Sequence, residues 1–189
     1  GKTLLMSIIA GLVKASSGTI KREKEIGLIF QDTDTQILGE TPKEDIEFGL
    51  INQKIAKEVR AKKIENVLEA VCLKNKIDFP ARTLSGGEKR KLATAGILAM
   101  DREIIIFDEP FANLDYNGIK QVNSLIKNLK KSGKTLIILT HELEKCLGLA
   151  ERLIVLYKGQ LVFDGSAENG LKEPLENWGI RNPIQTYKN

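Results

Sequence analysis

Three short clusters carry side chains suited to handling phosphate. Asp108-Glu109 follow the apolar run Ile104-Ile105-Ile106-Phe107. A carboxylate at the carboxyl end of a buried parallel strand stands where α/β sheets take their ligands. There Asp108 could hold Mg²⁺ through water, and Glu109 could take the proton of an attacking water. Strands that merely end in acids are common, so the pair alone decides little. Leu84-Ser85-Gly86-Gly87-Glu88 adds two glycines at a helix start, where the backbone can approach an anion and free amides favour negative charge. Gly1-Lys2-Thr3, ahead of an apolar helix, matches the last residues of a phosphate loop.

The tripeptide by itself is a poor signal. Gly133-Lys134-Thr135 repeats it after a helix and before a strand, with Asn128 where the first loop glycine belongs, and that copy is a helix cap. His141, the single histidine, follows Leu139-Thr140 at the end of another apolar run.

These residues need a scaffold that brings strand ends and helix starts to one place. Leu4, Leu5, Ile8, Ile9 and Leu12 recur at helical spacing, with Ser16-Ser17-Gly18 as the expected stop. Ile26 to Phe30 is a buried-type strand leading into Gln31. Thr41-Pro42-Lys43-Glu44 starts a helix with an N-cap, a first-turn Pro and a capping box. From there to Asn75 the pattern is mostly helical, with Ile55, Val59, Ile64, Val67, Leu68 and Val71 as the apolar faces. A second Ser-x-x-Glu box at Ser85 opens a helix to about Met100, and Tyr116 to Lys131 is another. Thr135 to Leu139 and Leu153 to Tyr157 are further strands, the latter turning at Lys158-Gly159 into Gln160 to Phe163. Helices alternating with short apolar strands predict an α/β fold with a mostly parallel sheet. Its expected divisions are a core of residues 1–41 and 96–165, an inserted helical subdomain of residues 42–95, and a tail of residues 166–189.

Composition sets the outer bounds. The chain has 189 residues, 42% hydrophobic and 29% charged, which excludes disorder and fibrous repeats. The net charge of +4 comes from mixed signs, as in Lys21-Arg22-Glu23-Lys24-Glu25, and so describes a solvated surface in place of a nucleic-acid stripe. Cys72 and Cys146, the two cysteines, sit among apolar residues and are expected to be small buried hydrophobes in a reducing compartment. Leu4 to Val13 followed by Ala15-Ser16-Ser17 has the outline of a cleaved leader, but the motifs after it belong to cytosolic chemistry.

Lys2-Thr3, Gln31, LSGGE at Leu84 to Glu88, IIIFDEP at Ile104 to Pro110, ANLD at Ala112 to Asp115, and His141 follow one another as in the ATP-binding-cassette ATPases. The resemblance spans nearly the whole chain. It implies a P-loop NTPase, RecA-like core with an inserted helical signature subdomain. It also implies ATP on Gly1, Lys2 and Thr3 of one subunit and on Ser85, Gly86, Gly87 and Asp115 of a second, paired head to tail. Mg²⁺ would fall to Thr3, Gln31 and Asp108, and catalysis to Glu109, His141 and Gln31. Two departures stand out: Glu88 where many members have Gln, and Ala112-Asn113 where Ser-Ala is more usual. The strand and glycines of the phosphate loop are expected upstream of Gly1. A chain truly starting there should bind ATP poorly, and a native mass above 21.0 kDa would show the missing part.

Phe30-Gln31-Asp32-Thr33-Asp34-Thr35-Gln36, the run KRKLATAGILAM from Lys89, and the ending Trp178 to Pro183 are similar to cobalt, nickel and vitamin importers of energy-coupling-factor type. This implies an ATPase subunit at the cytoplasmic membrane face, with biotin or another vitamin favoured over metal ions. Its partners would be a transmembrane coupling subunit, which the acidic loop of Asp32, Asp34 and Glu40 would face, and a substrate-binding membrane subunit. The alternatives are the ATPase of another transporter class, a soluble cassette working on nucleic acid or ribosomes, and a non-hydrolysing interaction protein.

Overall fold

A computed structural model describes residues 1–183. Three parallel strands, β1 (Ile26–Ile29), β2 (Ile104–Asp108) and β3 (Thr135–Leu139), pair in the order β1-β2-β3. Side chains alternate between the faces of a strand, so β2 sends Ile105 and Phe107 into one core and Ile106 into another. A strand apolar on both sides is what a sheet covered on both faces requires.

One face, formed by Leu28, Ile106 and Leu139, is covered by α1 (Lys2–Ala10) through Met6, Ile9 and Ala10. Leu4, Leu5 and Leu12 stay exposed, so the apolar spacing is wider than the stripe that packs. The helix ends earlier than expected, at Gly11 with φ 83°, whose N–H bonds the Ile8 carbonyl at 3.1 Å. Glycine takes that left-handed cap without a Cβ penalty, so Ser16 to Gly18 is not needed as a stop.

The opposite face packs against α4 (Gly86–Ala99) and α5 (Tyr116–Lys131), with Leu92, Ile97, Val122 and Ile126 buried. Gly27 of β1 allows α4 to approach closely, because a Cβ there would run into the Ile97 side chain.

The expected helical stretch to Asn75 divides into α2 (Pro42–Asn52) and α3 (Lys57–Ala70), broken where Lys54 takes φ 58°. Thr41 caps α2 as expected, accepting from the Glu44 amide at 3.3 Å. The Glu44 carboxylate turns to the Glu40 amide at 3.2 Å, so the reciprocal half of the box moves one residue upstream. Ile64, Leu68 and Val71 are buried, whereas Val59 is exposed, because the face of α3 toward α4 does not include it. Cys72 is also exposed, in a left-handed turn after α3, contrary to the expected burial; Cys146 is buried, and burial pushes its thiol up to about 11.

The expected hairpin at Lys158-Gly159 is present and begins with β4 (Arg152–Tyr157). Among the described residues it pairs only with β5 (Gln160–Ser166), antiparallel, and does not extend the parallel sheet. Lys158 and Gly159 both have positive φ, the turn chemistry that a two-residue hairpin demands. The ribbon has its own small core of Leu143, Val155 and Leu175, joined by Phe163 and Trp178. The segment after β5 therefore packs back through α6 (Ala167–Gly170) and Leu175, and positions 184–189 of the expected tail lie outside the described residues. No described helix is long and apolar enough to cross a membrane.

Candidate active site

Since β1, β2 and β3 are parallel, Gln31, Asp108-Glu109 and His141 all leave the sheet at its carboxyl edge. Glu109 takes φ 44°, an uncommon conformation for a residue with a Cβ. Its amide still reaches the Leu139 carbonyl at 2.9 Å, and its Oε1 lies 2.8 Å from Nδ1 of His141. The carboxylate accepts, so Nδ1 donates. Side-chain exposure is 14% for Glu109 and 68% for His141, so the acid is sheltered while the ring stays open to a ligand.

Asp108 is 5% exposed, and its carboxylate has no hydrogen bond or ion pair among the described residues. Its oxygens are not fully enclosed, and a sheltered carboxylate with no protein partner fits a cation. No cluster of three or more His, Cys, Asp or Glu that could hold a metal occurs among the described residues. Mg²⁺ would need only one or two carboxylates, taking its other oxygens from phosphate and water.

The loop after β1 is stitched by the last residue of the Phe30 to Gln36 run. Gln36 accepts from the Phe30 amide at 3.1 Å and donates to the Leu28 carbonyl at 3.0 Å, extending the bonding of β1 beyond its end. Gln31 itself is exposed. Two acids of this loop are engaged within the chain: Asp32 accepts from the Asp34 amide at 3.0 Å, and Asp34 pairs with Lys89. Half-buried Asp45 gathers the Leu38 and Gly39 amides; burial raises its pKa, and those two bonds oppose the rise.

At the start of α4 both halves of the capping box are present. Ser85 Oγ accepts from the Glu88 amide at 3.3 Å, and Glu88 Oε2 accepts from the Ser85 amide at 3.0 Å. Gly86 and Gly87 follow in the first turn, whose amides have no intrahelical partner. A Cβ on Gly87 would lie 3.7 Å from the Gly118 Cα, so this end rests on the start of α5. Asp115 caps α5, its Oδ1 accepting from the Gly118 amide at 2.7 Å. Lys2 and Thr3 sit in the exposed first turn of α1. No hydrogen bond or ion pair joins the α4 amino end to Glu109 or His141 among the described residues.

Arg90 is the functional-site residue that motif matching passed over. It is 4% exposed, and its Nη2 donates to the Gln31 carbonyl at 3.3 Å and the Ala112 carbonyl at 3.0 Å. It thereby ties α4 to the loops after β1 and β2. Its Nε is buried without a partner, and burial lowers its pKa. The sequence held one hint: Arg90 shares a helical face with Ala93, Thr94 and Ile97, all buried, where a charge is out of place.

Comparison with known proteins agrees with this architecture. The ABC transporter family matches residues 1–112. The energy-coupling factor transporter ATP-binding protein EcfA of Carboxydothermus hydrogenoformans is 35% identical over 198 residues, covering 93% of this chain and 73% of that protein. EcfA1 of Mycoplasma mobile is 39% identical over 186 residues, covering 91% and 68%. EcfA2 of Methanospirillum hungatei is 34% identical over 97% of this chain, which spans only 50% of that protein's length. The solved structure of cbiO1 from Clostridium perfringens, described as part of the ABC transporter complex cbiONQ, superposes with a TM-score of 0.82 at 28% identity, covering 97% of this chain and 80% of that one. By these matches the chain belongs to the ABC transporter family, and its similarity is to the ATP-binding proteins of energy-coupling factor transporters.

Proposed function

We propose that this chain energises uptake of a vitamin or of cobalt or nickel, pairing head to tail with a second ATPase chain beneath a transmembrane coupling subunit and a substrate-binding membrane subunit. The observation that carries this reading is the division of the site. Glu109, His141 and Asp108 gather at the sheet edge, while Gly86 and Gly87 start α4 with no hydrogen bond to Glu109 or His141 among the described residues, so one chain offers two half-sites that a second copy could complete.

In the cis half-site Lys2 and the first-turn amides of α1 would hold phosphate, with Gly1 at the cap. Thr3, Gln31 and Asp108 would hold Mg²⁺, which neutralises charge on the transferred phosphoryl group. Glu109 accepts the proton of the attacking water, and His141 keeps its carboxylate oriented. In the trans half-site Ser85, Gly86 and Gly87 meet the terminal phosphate. Asp115 reaches the partner only with the carboxylate oxygen not used in capping α5. The protein sits at the cytoplasmic membrane face, and Glu40, exposed beside the Gln31 loop, is the acid best placed to meet basic residues of the coupling subunit.

Glu109→Gln in the native protein, assembled with its membrane partners, tests the assignment. Turnover should fall by about 10²- to 10⁴-fold, the usual worth of a general base, while ATP-driven pairing of the ATPase chains persists. Unchanged turnover removes Glu109 as the base.

A further inference from the structure

The start of α4 contains an electrostatic contradiction. A helix amino end attracts anions, yet Glu88 places a carboxylate in its first turn, beside the amides that the proposed trans half-site assigns to phosphate. Glu88 and phosphate would repel each other there, most strongly where water is excluded.

The structure contains a remedy outside the motif. Lys76, in the turn of Lys74–Lys76 after α3, places Nζ 2.6 Å from Glu88 Oε1. The two side chains are 29% and 19% exposed, so solvent screens this pair less than the surface pairs around it. Lys76 is held from its other side by the Phe79 ring, whose centroid is 5.7 Å from Nζ. Glu88 is thus fastened at both oxygens, Oε2 on the Ser85 amide and Oε1 on Lys76. Burial would raise the Glu88 pKa, but Lys76 and Ser85 outweigh it and hold it below the ordinary value.

We propose that Lys76 is a positioning residue for ATP: by neutralising Glu88 it lets a signature loop with Glu in its last position still accept the terminal phosphate of the nucleotide on the partner chain. The inference rests on the trans half-site proposed above. It makes Lys76 and Glu88 a matched pair, in which a glutamine at position 88 removes the need for the lysine.

The test measures KM and kcat for ATP, and ATP-driven pairing, in the native protein with its partners, for Lys76→Met, Glu88→Gln and the double variant. Lys76→Met should raise KM about tenfold, equivalent to about 1.4 kcal/mol, with little change in kcat. The double variant should return KM to the parental value, because no carboxylate is then left unpaired. A double variant that keeps the defect of Lys76→Met overturns the proposal and leaves Lys76 a packing role against Phe79. An unchanged KM in Lys76→Met overturns it as well. Gly87→Asp, assayed alongside, separates the two levels: if it leaves ATP-driven pairing intact, the trans half-site itself is wrong. If it abolishes pairing while Lys76→Met has no effect, only the charge-matching inference falls.

Discussion

The sheet edge and the amino end of α4 are built on opposite plans. At the sheet edge, Glu109 and His141 are 32 residues apart in sequence and meet only because β2 and β3 run parallel in a fixed register. At the α4 end, Ser85 and Glu88 satisfy each other across three residues, as a capping box does wherever a helix starts. The first arrangement is therefore exact only in the complete fold, and a slip in register would separate its members. The second is locally determined and needs the fold only to place it. Arg90 connects the two, since it sits one turn into α4 and holds the carbonyls of Gln31 and Ala112 beside the sheet edge.

Cutting that connection should give the largest loss of stability. Arg90→Met leaves two carbonyls without their charged donor and should cost about 2 kcal/mol, read as a lower urea midpoint. Arg90→Lys should recover only part, because a single ammonium cannot reproduce the guanidinium's fork. A loss well under 1 kcal/mol would mean that the two regions are mechanically separate. Ser85→Ala should cost about 1 kcal/mol through the cap, and pH should expose its partner. The folded pKa of Glu88 is depressed, so its stabilisation is present above the ordinary carboxylate value and is lost as pH falls through the lower, folded value. Glu88→Gln should flatten that part of the acid unfolding profile.

Asp45 has the opposite sign. Its folded pKa is raised, so its contribution is full below the ordinary value of 3.8 and declines as pH rises through the folded value. Asp45→Asn keeps an oxygen for the Leu38 and Gly39 amides and removes the buried charge, so it should stabilise slightly at neutral pH, by about 0.5 kcal/mol or less. A clear loss instead would show that the charge itself holds the loop after β1.

Much of the fold was legible because its signals are local. The apolar runs of β1, β2 and β3, the boxes at Thr41 and Ser85, and the glycine stop after α5 each depend on a few neighbouring residues. The second Gly-Lys-Thr was correctly read as a cap, and Gly133 takes φ 82° there. Misreadings arose where a residue's fate depends on what packs against it. Val59 and Cys72 look like core from their types, yet they lie on the far side of α3 and in a left-handed turn. Leu153 to Tyr157, by contrast, was legible as one arm of a hairpin, because its partner follows two residues later.

The sequence by itself determined the order of the motifs, and with it the family, since each motif is a short pattern of residue types. It also determined the helix caps, whose hydrogen bonds close within a turn. Tertiary structure alone decided that Glu109 should reach His141, that Asp108 should be buried without a partner, and that Arg90 and Gln36 should hold the loops around them. It also decided that Lys76 should find Glu88 across 12 positions. Those contacts join separate elements, and their geometry exists only after the sheet has set its register and the helices have packed on it.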